Sequence, residues 1–206
     1  MREALRVIAA AKGPDHPNVG NAMSSFASFL DDLKRHAAAE SPFRRSLETK
    51  RAHLGPDHQE VAFTLSNYGF NRFYAGRPDS AELIAREVLA MRGKSLSESH
   101  PLVGSALSLL GRTLMARDRS REAEPWLREA LEFPKRTVPP DHWLVATAKS
   151  LLGECLTKAG RYRAAEPPPL EGLAGLRRSR GEGQSVTRDA EARLQALYRE
   201  WKPAGR

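Results

Sequence analysis

The chain holds one cysteine, Cys155, in 206 residues. That excludes an internal disulfide framework, a multi-cysteine zinc centre and an iron–sulfur cluster. No apolar run approaches the roughly 20 residues a membrane-crossing helix needs, so no membrane partner is expected. No glycine pattern makes a phosphate loop: Gly172-x-x-Gly175 and Gly181-x-Gly183 lack both the following Lys-Ser/Thr and the strand-to-helix setting. No His-Glu-x-x-His occurs. The apolar stretch near Met1 is too short for a leader, Glu3 sits in its basic region and Lys12 follows. The expected location is therefore cytoplasmic.

What is present is ordinary in amount and unusual in order. Hydrophobic residues are 40% and charged residues 28%, enough to bury a core. Basic residues number 33 against 25 acidic, a net charge of +8, which favours an acidic partner. Half of that excess lies in residues 177–206. The run Arg177-Arg178-Ser179-Arg180 has three readings: a solvated helix end favoured by the helix dipole, a contact for an acidic protein, or a contact for nucleic acid or acidic lipid. It lacks the interleaved aromatics of a base-stacking surface.

The order is a repeat. His16, His58, His100 and His142 are spaced by 42 residues. In the same phase stand Val19, Val61, Val103 and Val145; Phe26, Tyr68, Leu110 and Leu152; and the small residues Ala27, Gly69, Gly111 and Gly153. Further along come Ala39, Ala81, Ala123 and Ala165, each followed by glutamate, then Leu47, Leu89, Leu131 and Leu173. Such a period is the signature of a repeat architecture.

Within a unit the apolar spacing is helical. Val103, Leu107, Leu110 and Leu114 line one helix face, and Ala123, Leu127, Ala130 and Leu131 line a second after the break at Arg117-Asp118-Arg119-Ser120. Each unit is thus expected to be two antiparallel helices. Asp15, Asp57, Ser99 and Asp141 suit the N-cap of the first helix, and Ser120 that of a second helix. Pro17 and Pro101 are tolerated in the first turn.

The pattern Leu107-x-x-Leu110-Gly111-x-x-Leu114, then Ala123, then Leu127-x-x-Ala130-Leu131 resembles a tetratricopeptide repeat (TPR). With Gly-Pro-Asp-His at 13–16 and 55–58, Ala-Glu-Pro at 123–125 and 165–167, and the longer period, it is similar to the kinesin-light-chain type. The resemblance implies an all-α, right-handed superhelical solenoid of antiparallel helix pairs, about ten helices, built as one domain over 1–206. The units are a half repeat at 1–12, repeats at 14–55, 56–97, 98–139 and 140–181, and a capping helix at 184–202. Leu5 and Arg2 fall 42 residues before Leu47 and Arg44, so the chain begins half-way through a unit. Ala190, Leu194, Leu197 and Tyr198 form the apolar face of the cap. In the fourth unit Pro167-Pro168-Pro169 and two glycines predict a short second helix starting near Pro169.

Catalysis, metal and cofactors are not expected. Equivalent histidines of stacked units lie roughly 10 Å apart, the spacing of packed helices, too far to share an ion; they read as loop and capping residues. Cys155 lies some 20 Å along its helix from His142, out of reach of a base. It reads as a packing residue.

The expected function is protein–protein interaction, with a peptide or extended segment on the concave face lined by first helices. The candidate contacts are Phe63, Ser66, Asn67, Phe70, Phe73 and Tyr74 in the second unit, with Ser108, Arg112 and Met115 in the third. The aromatics have two readings: replacement of the core leucine missing at Arg72, or an anchor pocket for a peptide. The lysine that some TPR domains use to clamp chaperone C-termini is replaced by Ser24, Ser66, Ser108 and Ser150, so chaperones are not expected. Of the inward asparagines that kinesin-light-chain repeats use, Asn67 and Asn21 match. Two other readings stand: the C-terminal part of a larger regulator with a kinase or ATPase upstream, and a nucleic-acid or acidic-surface binder using the basic tail. Self-association through the open N-terminal half repeat is a further expectation.

Overall fold

The structure, a computed structural model, describes residues 16–135, 138–139 and 142–201, with residues 7, 10, 11 and 13 before them. Leu5 and Arg2 of the half repeat, and the cap candidates Asp15 and Asp141, lie outside the described residues. The described residues are helical apart from turns and one isolated bridge between Arg92 and Leu96. The helices come in pairs: α1 (Pro17–Asp32) with α2 (His36–Leu54), α3 (Gln59–Tyr74) with α4 (Pro78–Ala90), and α5 (Pro101–Ala116) with α6 (Ser120–Lys135). Next come α7 (Trp143–Lys158), the single turn α8 (Tyr162–Ala165), α9 (Pro167–Arg180) and α10 (Ser185–Glu200). They form two compact units, Met1–Leu109 and Leu110–Arg206, with the boundary inside α5. In the first, α1 packs on α2, α2 on α3 and α3 on α4; in the second, α6 packs on α7, α7 on α9, and α10 on both α7 and α9.

The repeat phase accounts for the packing. In the first unit Ala27, Leu30, Ala39 and Phe43 are buried together, with Phe26 and Tyr68 against them. In the second, Ala146, Leu173, Leu176 and Ala190 are buried together at other positions of the repeat, flanked by Trp143, Val186 and Leu194. The small position is where helices touch. A Cβ on Gly69 would stand 2.6 Å from Leu109 Cδ2, and one on Gly111 or Gly153 would overlap Leu127 or Pro169.

The first helices are capped differently from the expectation. Of the described candidates, Asp57 and Ser99 are not the caps and stay in the exposed turn. The histidine caps instead. Its backbone is extended (His16 φ −67, ψ 141; His58 φ −70, ψ 144; His142 φ −65, ψ 142), which puts it at the cap position. Nδ1 then accepts the N–H two residues on: Asn18 for His16 at 3.1 Å, Glu60 for His58 at 3.1 Å, Leu102 for His100 at 3.2 Å, Leu144 for His142 at 3.3 Å. Imidazole thus does the work of the usual hydroxyl or carboxylate.

The turns between paired helices follow the same phase. Lys34, Gly76, Asp118 and Gly160, each 42 residues from the last, all have φ between 57° and 72°. This left-handed residue ends the first helix, and an arginine follows it every time: Arg35, Arg77, Arg119 and Arg161. Arg35, Arg77 and Arg161 are the N-cap residues of the helices that follow, with no side-chain cap bond. Nor is Ser120 a cap: Glu122 and Ala123 donate to Arg119 O, and the carbonyl of buried Ser120 accepts from the Cys155 thiol.

The last pair also departs from expectation. α9 is 14 residues long and starts at Pro167, not Pro169. The prolines occupy its first turn, where missing N–H groups cost nothing. The glycines let α9 approach α7: a Cβ on Gly172 would lie 2.6 Å from Ala146 O. In α10 Ala190 and Leu197 are fully buried, Leu194 is half-buried, and Tyr198 is exposed with its hydroxyl donating to Glu166 at 2.9 Å.

Two substitutions separate these effects. Gly160→Ala places a Cβ in a left-handed turn with open space around it and should cost about 1 kcal/mol through backbone strain alone. Gly172→Ala keeps helical backbone but forces α7 and α9 apart, and should cost about 1–3 kcal/mol. Chemical denaturation of each variant measures both.

Candidate functional site

Along α3, residues 63, 67, 70 and 74 recur at helical spacing and share one face. The opposite face is consumed by packing: Val61, Leu65 and Gly69 are buried. Phe63 and Tyr74 are left 53% and 54% exposed, one at each end of the helix. Asn67 and Phe70 between them are half-buried. Two large aromatics more than half in water are not filling a core.

The core leucine missing at Arg72 is replaced by the arginine itself. Arg72 is 6% exposed, its Nη1 lies 2.6 Å from Glu40 Oε2, and its guanidinium sits 5.7 Å over the Tyr68 ring.

At the C-terminal end of α3 the aromatics are organised around Tyr74. Phe70 stacks on it at 6.4 Å, Phe73 meets it edge-on at 5.5 Å, and the His36 imidazole stacks on it at 5.8 Å. His36 donates from Nδ1 to Asp31 Oδ1 at 2.8 Å. Buried Asn71 donates from Nδ2 to the same oxygen at 2.7 Å and to His36 O at 2.9 Å. One carboxylate therefore fixes both the imidazole and the start of α2. A cleft of about 450 Å³ opens here, with Asp31, Asp32, Asn67 and Tyr74 among its walls.

The N-terminal end of α3 is built around a buried lysine. Lys50, on α2, is 4% exposed. Its Nζ donates to Thr64 Oγ1 at 3.1 Å and lies 3.5 Å from Glu60 Oε2. Burial pushes the Lys50 ammonium below the usual lysine value by more than Glu60 restores. A cleft of about 610 Å³ lies against it, lined also by Asn21, Ser24, Gln59 and Phe63.

The remaining candidates stand elsewhere. Ser66 is 5% exposed, so its hydroxyl is not offered to a partner. Ser108 is half-buried in the first unit. Arg112 and Met115 belong to the second unit, where Arg112 is half-buried and Met115, at 3% exposed, is core.

Cys155 and Glu124 are held in the packing of the second unit. Cys155 is fully buried and its thiol donates to Ser120 O at 3.2 Å. Burial, then the nearby charges of Glu124 and Glu154, push it up to about 11, which keeps it a poor nucleophile. Burial would raise the Glu124 carboxyl, but hydrogen bonds from Arg128 and Arg161 hold it below the usual glutamate range. In the tail, Arg177 pairs with Glu191 at 2.8 Å and Arg180 lies 4.4 Å over the Trp143 ring. Among the described residues no three His, Cys, Asp or Glu side chains converge as metal ligands, and no helix is long and apolar enough to cross a membrane.

Asp31 stands in the inward stripe of the first unit, in phase with Phe73 and Met115; His36 and Lys50 were missed in the sequence because neither follows the repeat. One signal existed: Lys50 stands where the next unit has Arg92 and the fourth has Leu176.

The family model of the tetratricopeptide repeat matches residues 19–60, 64–102 and 103–144. No curated protein sequence matches the chain. Among solved structures it is similar to BtubC (BKLC) from P. vanneervenii, at 20% identity and a TM-score of 0.76, over 96% of this chain and 79% of that one. It is also similar to a kinesin-light-chain-type protein of nearly identical TPR-like repeats from Podosopora anserina, at 15% identity and a TM-score of 0.72, over 90% and 88%. YrrB, a TPR protein with an unusual peptide-binding site, matches at 15% identity and a TM-score of 0.54, over 98% and 94%. At these identities the likeness is one of fold.

The buried lysine predicts a pH signature. Its folded-state value is lowered, so the unfolded chain holds the extra proton and stability rises with pH through the window below the usual lysine value. Lys50→Met removes the desolvated charge and should be more stable than wild type at neutral pH. That gain should shrink as pH climbs to the usual lysine value, measured by denaturant midpoints of both proteins across pH.

Proposed function

This chain belongs to the tetratricopeptide repeat family, and from that premise we propose that it is a non-catalytic interaction module that takes an extended peptide along α3. The observation that carries the reading is the line Phe63, Asn67, Phe70 and Tyr74, exposed at both ends and flanked by a cleft at each. Aromatic side chains supply most of the energy at protein interfaces, and they do so when a partner completes their burial. Asn67, between the rings, has both an amide donor and an acceptor for the backbone of an extended segment. Phe73 and His36 contribute by holding the Tyr74 ring. YrrB, of the same fold, is a TPR protein with an unusual peptide-binding site, which is consistent with recognition away from the family's usual residues. The net charge of +8 favours an acidic segment.

The test uses the two exposed rings, whose removal leaves the core intact. Phe63→Ala and Tyr74→Ala should each weaken capture of selected peptides from a displayed random library by roughly thirty-fold, the effect of losing about 2 kcal/mol at an anchor. Circular dichroism should stay unchanged. Equal capture by wild type and the double variant would place the peptide elsewhere.

A further inference from the structure

A polar cleft with a desolvated cation on its wall is a different kind of site from an aromatic ledge. Lys50 brings its ammonium from α2 to the base of α3, where an ammonium has three N–H donors to place. Thr64 Oγ1 takes one at 3.1 Å. Among the described residues the carboxylate that meets it is Glu60, whose Oε2 is 3.5 Å away and whose side chain is 51% exposed. That is beyond a good charge-assisted hydrogen bond, which spans 2.7–2.9 Å. A carboxylate half in water is also free to swing away, whereas the lysine, 4% exposed, is not. The cleft beside them measures about 610 Å³ and is lined by Asn21, Ser24, Ser25 and Gln59; the Ser25 hydroxyl is given to Asn21 O and Gln59 Nε2 meets His100 Nε2, which leaves the Asn21 amide and the Ser24 hydroxyl as the donors beside Lys50. Hydroxyls and amides are donors suited to a second carboxylate oxygen.

We infer that this cleft is a carboxylate-binding site, in which Lys50 holds an acidic side chain or C-terminus of a bound segment and Glu60 is the resident stand-in that the ligand displaces. The class of ligand follows from the stand-in: the group already nearest the ammonium is a carboxylate. A cation would be repelled, and a neutral group would leave the buried charge as poorly matched as it is now. Burial lowers the Lys50 ammonium against the restoring effect of Glu60, as expected of a cation whose resident partner is incomplete. Phe63 lines the same cleft, so an acidic residue held here would start a segment that continues along α3. The inference rests on the proposed reading of α3 for its biological ligand, while the site itself can be examined with a probe too small to extend along α3 beyond Phe63.

That probe is acetate, titrated into protein labelled with 13C at lysine Cε and held at constant ionic strength with chloride. The Lys50 resonance is identified by its loss in Lys50→Met, a variant expected to fold. In wild type this resonance alone should shift saturably with acetate. Glu60→Gln, which removes the competing charge, should bind acetate at least fivefold more tightly. A Lys50 shift no larger than those of the other lysines, an equal response to chloride, or weaker acetate binding by Glu60→Gln would each overturn the site. Inorganic phosphate binding tenfold more tightly than acetate would overturn the carboxylate assignment. Saturable acetate binding alongside unchanged peptide capture by Phe63→Ala and Tyr74→Ala would leave this site standing and remove the α3 reading. Peptide capture lost in those variants, with no acetate response, would do the reverse.

Discussion

The closeness of helix packing at one position per repeat governs this structure. Ala27, Gly69, Gly111 and Gly153 hold the place where a first helix meets its neighbours with no room for a larger side chain. Interiors pack at crystal-like density, so the spacing there fixes which side chains around it can be buried. On α3, Gly69 commits that side of the helix to Leu109 and Ile84. The face bearing Phe63 and Tyr74 is what remains. On α9 the same demand is met twice over, since Gly172 and Gly175 pack on Ala146 while Pro169 fills the space left by Gly153.

Polar side chains are spent on joining elements. Asn71 and Cys155 occupy the same place in their repeats, 84 residues apart, and each donates to the backbone carbonyl at the start of the preceding second helix, His36 O or Ser120 O. An amide and a thiol thus carry out one structural task. The repeated glutamates behave likewise. Glu40 meets Arg72, Glu82 meets Arg86, Glu124 meets Arg128 and Arg161, and Glu166 accepts from Tyr198. A glutamate in a half-buried place needs a donor, and each repeat supplies a different one.

The architecture was legible because it depends on spacing. Helix pairs and their faces follow from apolar residues recurring at 3.6 and at 42, and these survive the exchange of one apolar residue for another. Details that depend on local geometry were not legible. Aspartate before histidine looks like the better cap by propensity, yet the extended backbone falls on the histidine. Three prolines look like a break, yet in a first turn they remove only N–H groups that had no partner. The candidate site was legible in part: Phe63, Phe70 and Tyr74 come from the pattern as an aromatic face. Ser66 and Met115 have a spacing that suits an inward stripe, but the helix rotation buries them. Lys50 and His36 lie outside the phase, and a reading built on periodicity has no purchase on a residue that occurs once.

The left-handed turn residue carries a consequence for how such a chain diverges. Lys34, Gly76, Asp118 and Gly160 sit in one backbone conformation, which glycine enters freely and other residues enter against steric resistance. Duplicated units drift apart under different rules at different places. At the apolar positions drift is roughly symmetrical, leucine for phenylalanine and back again. At the turn it is directional: leaving glycine carries a cost, returning to it relieves one, and only a unit stable for other reasons can hold lysine or aspartate there. The identity of that one residue therefore sets how much backbone strain each repeat carries at its turn, least with glycine and most with lysine.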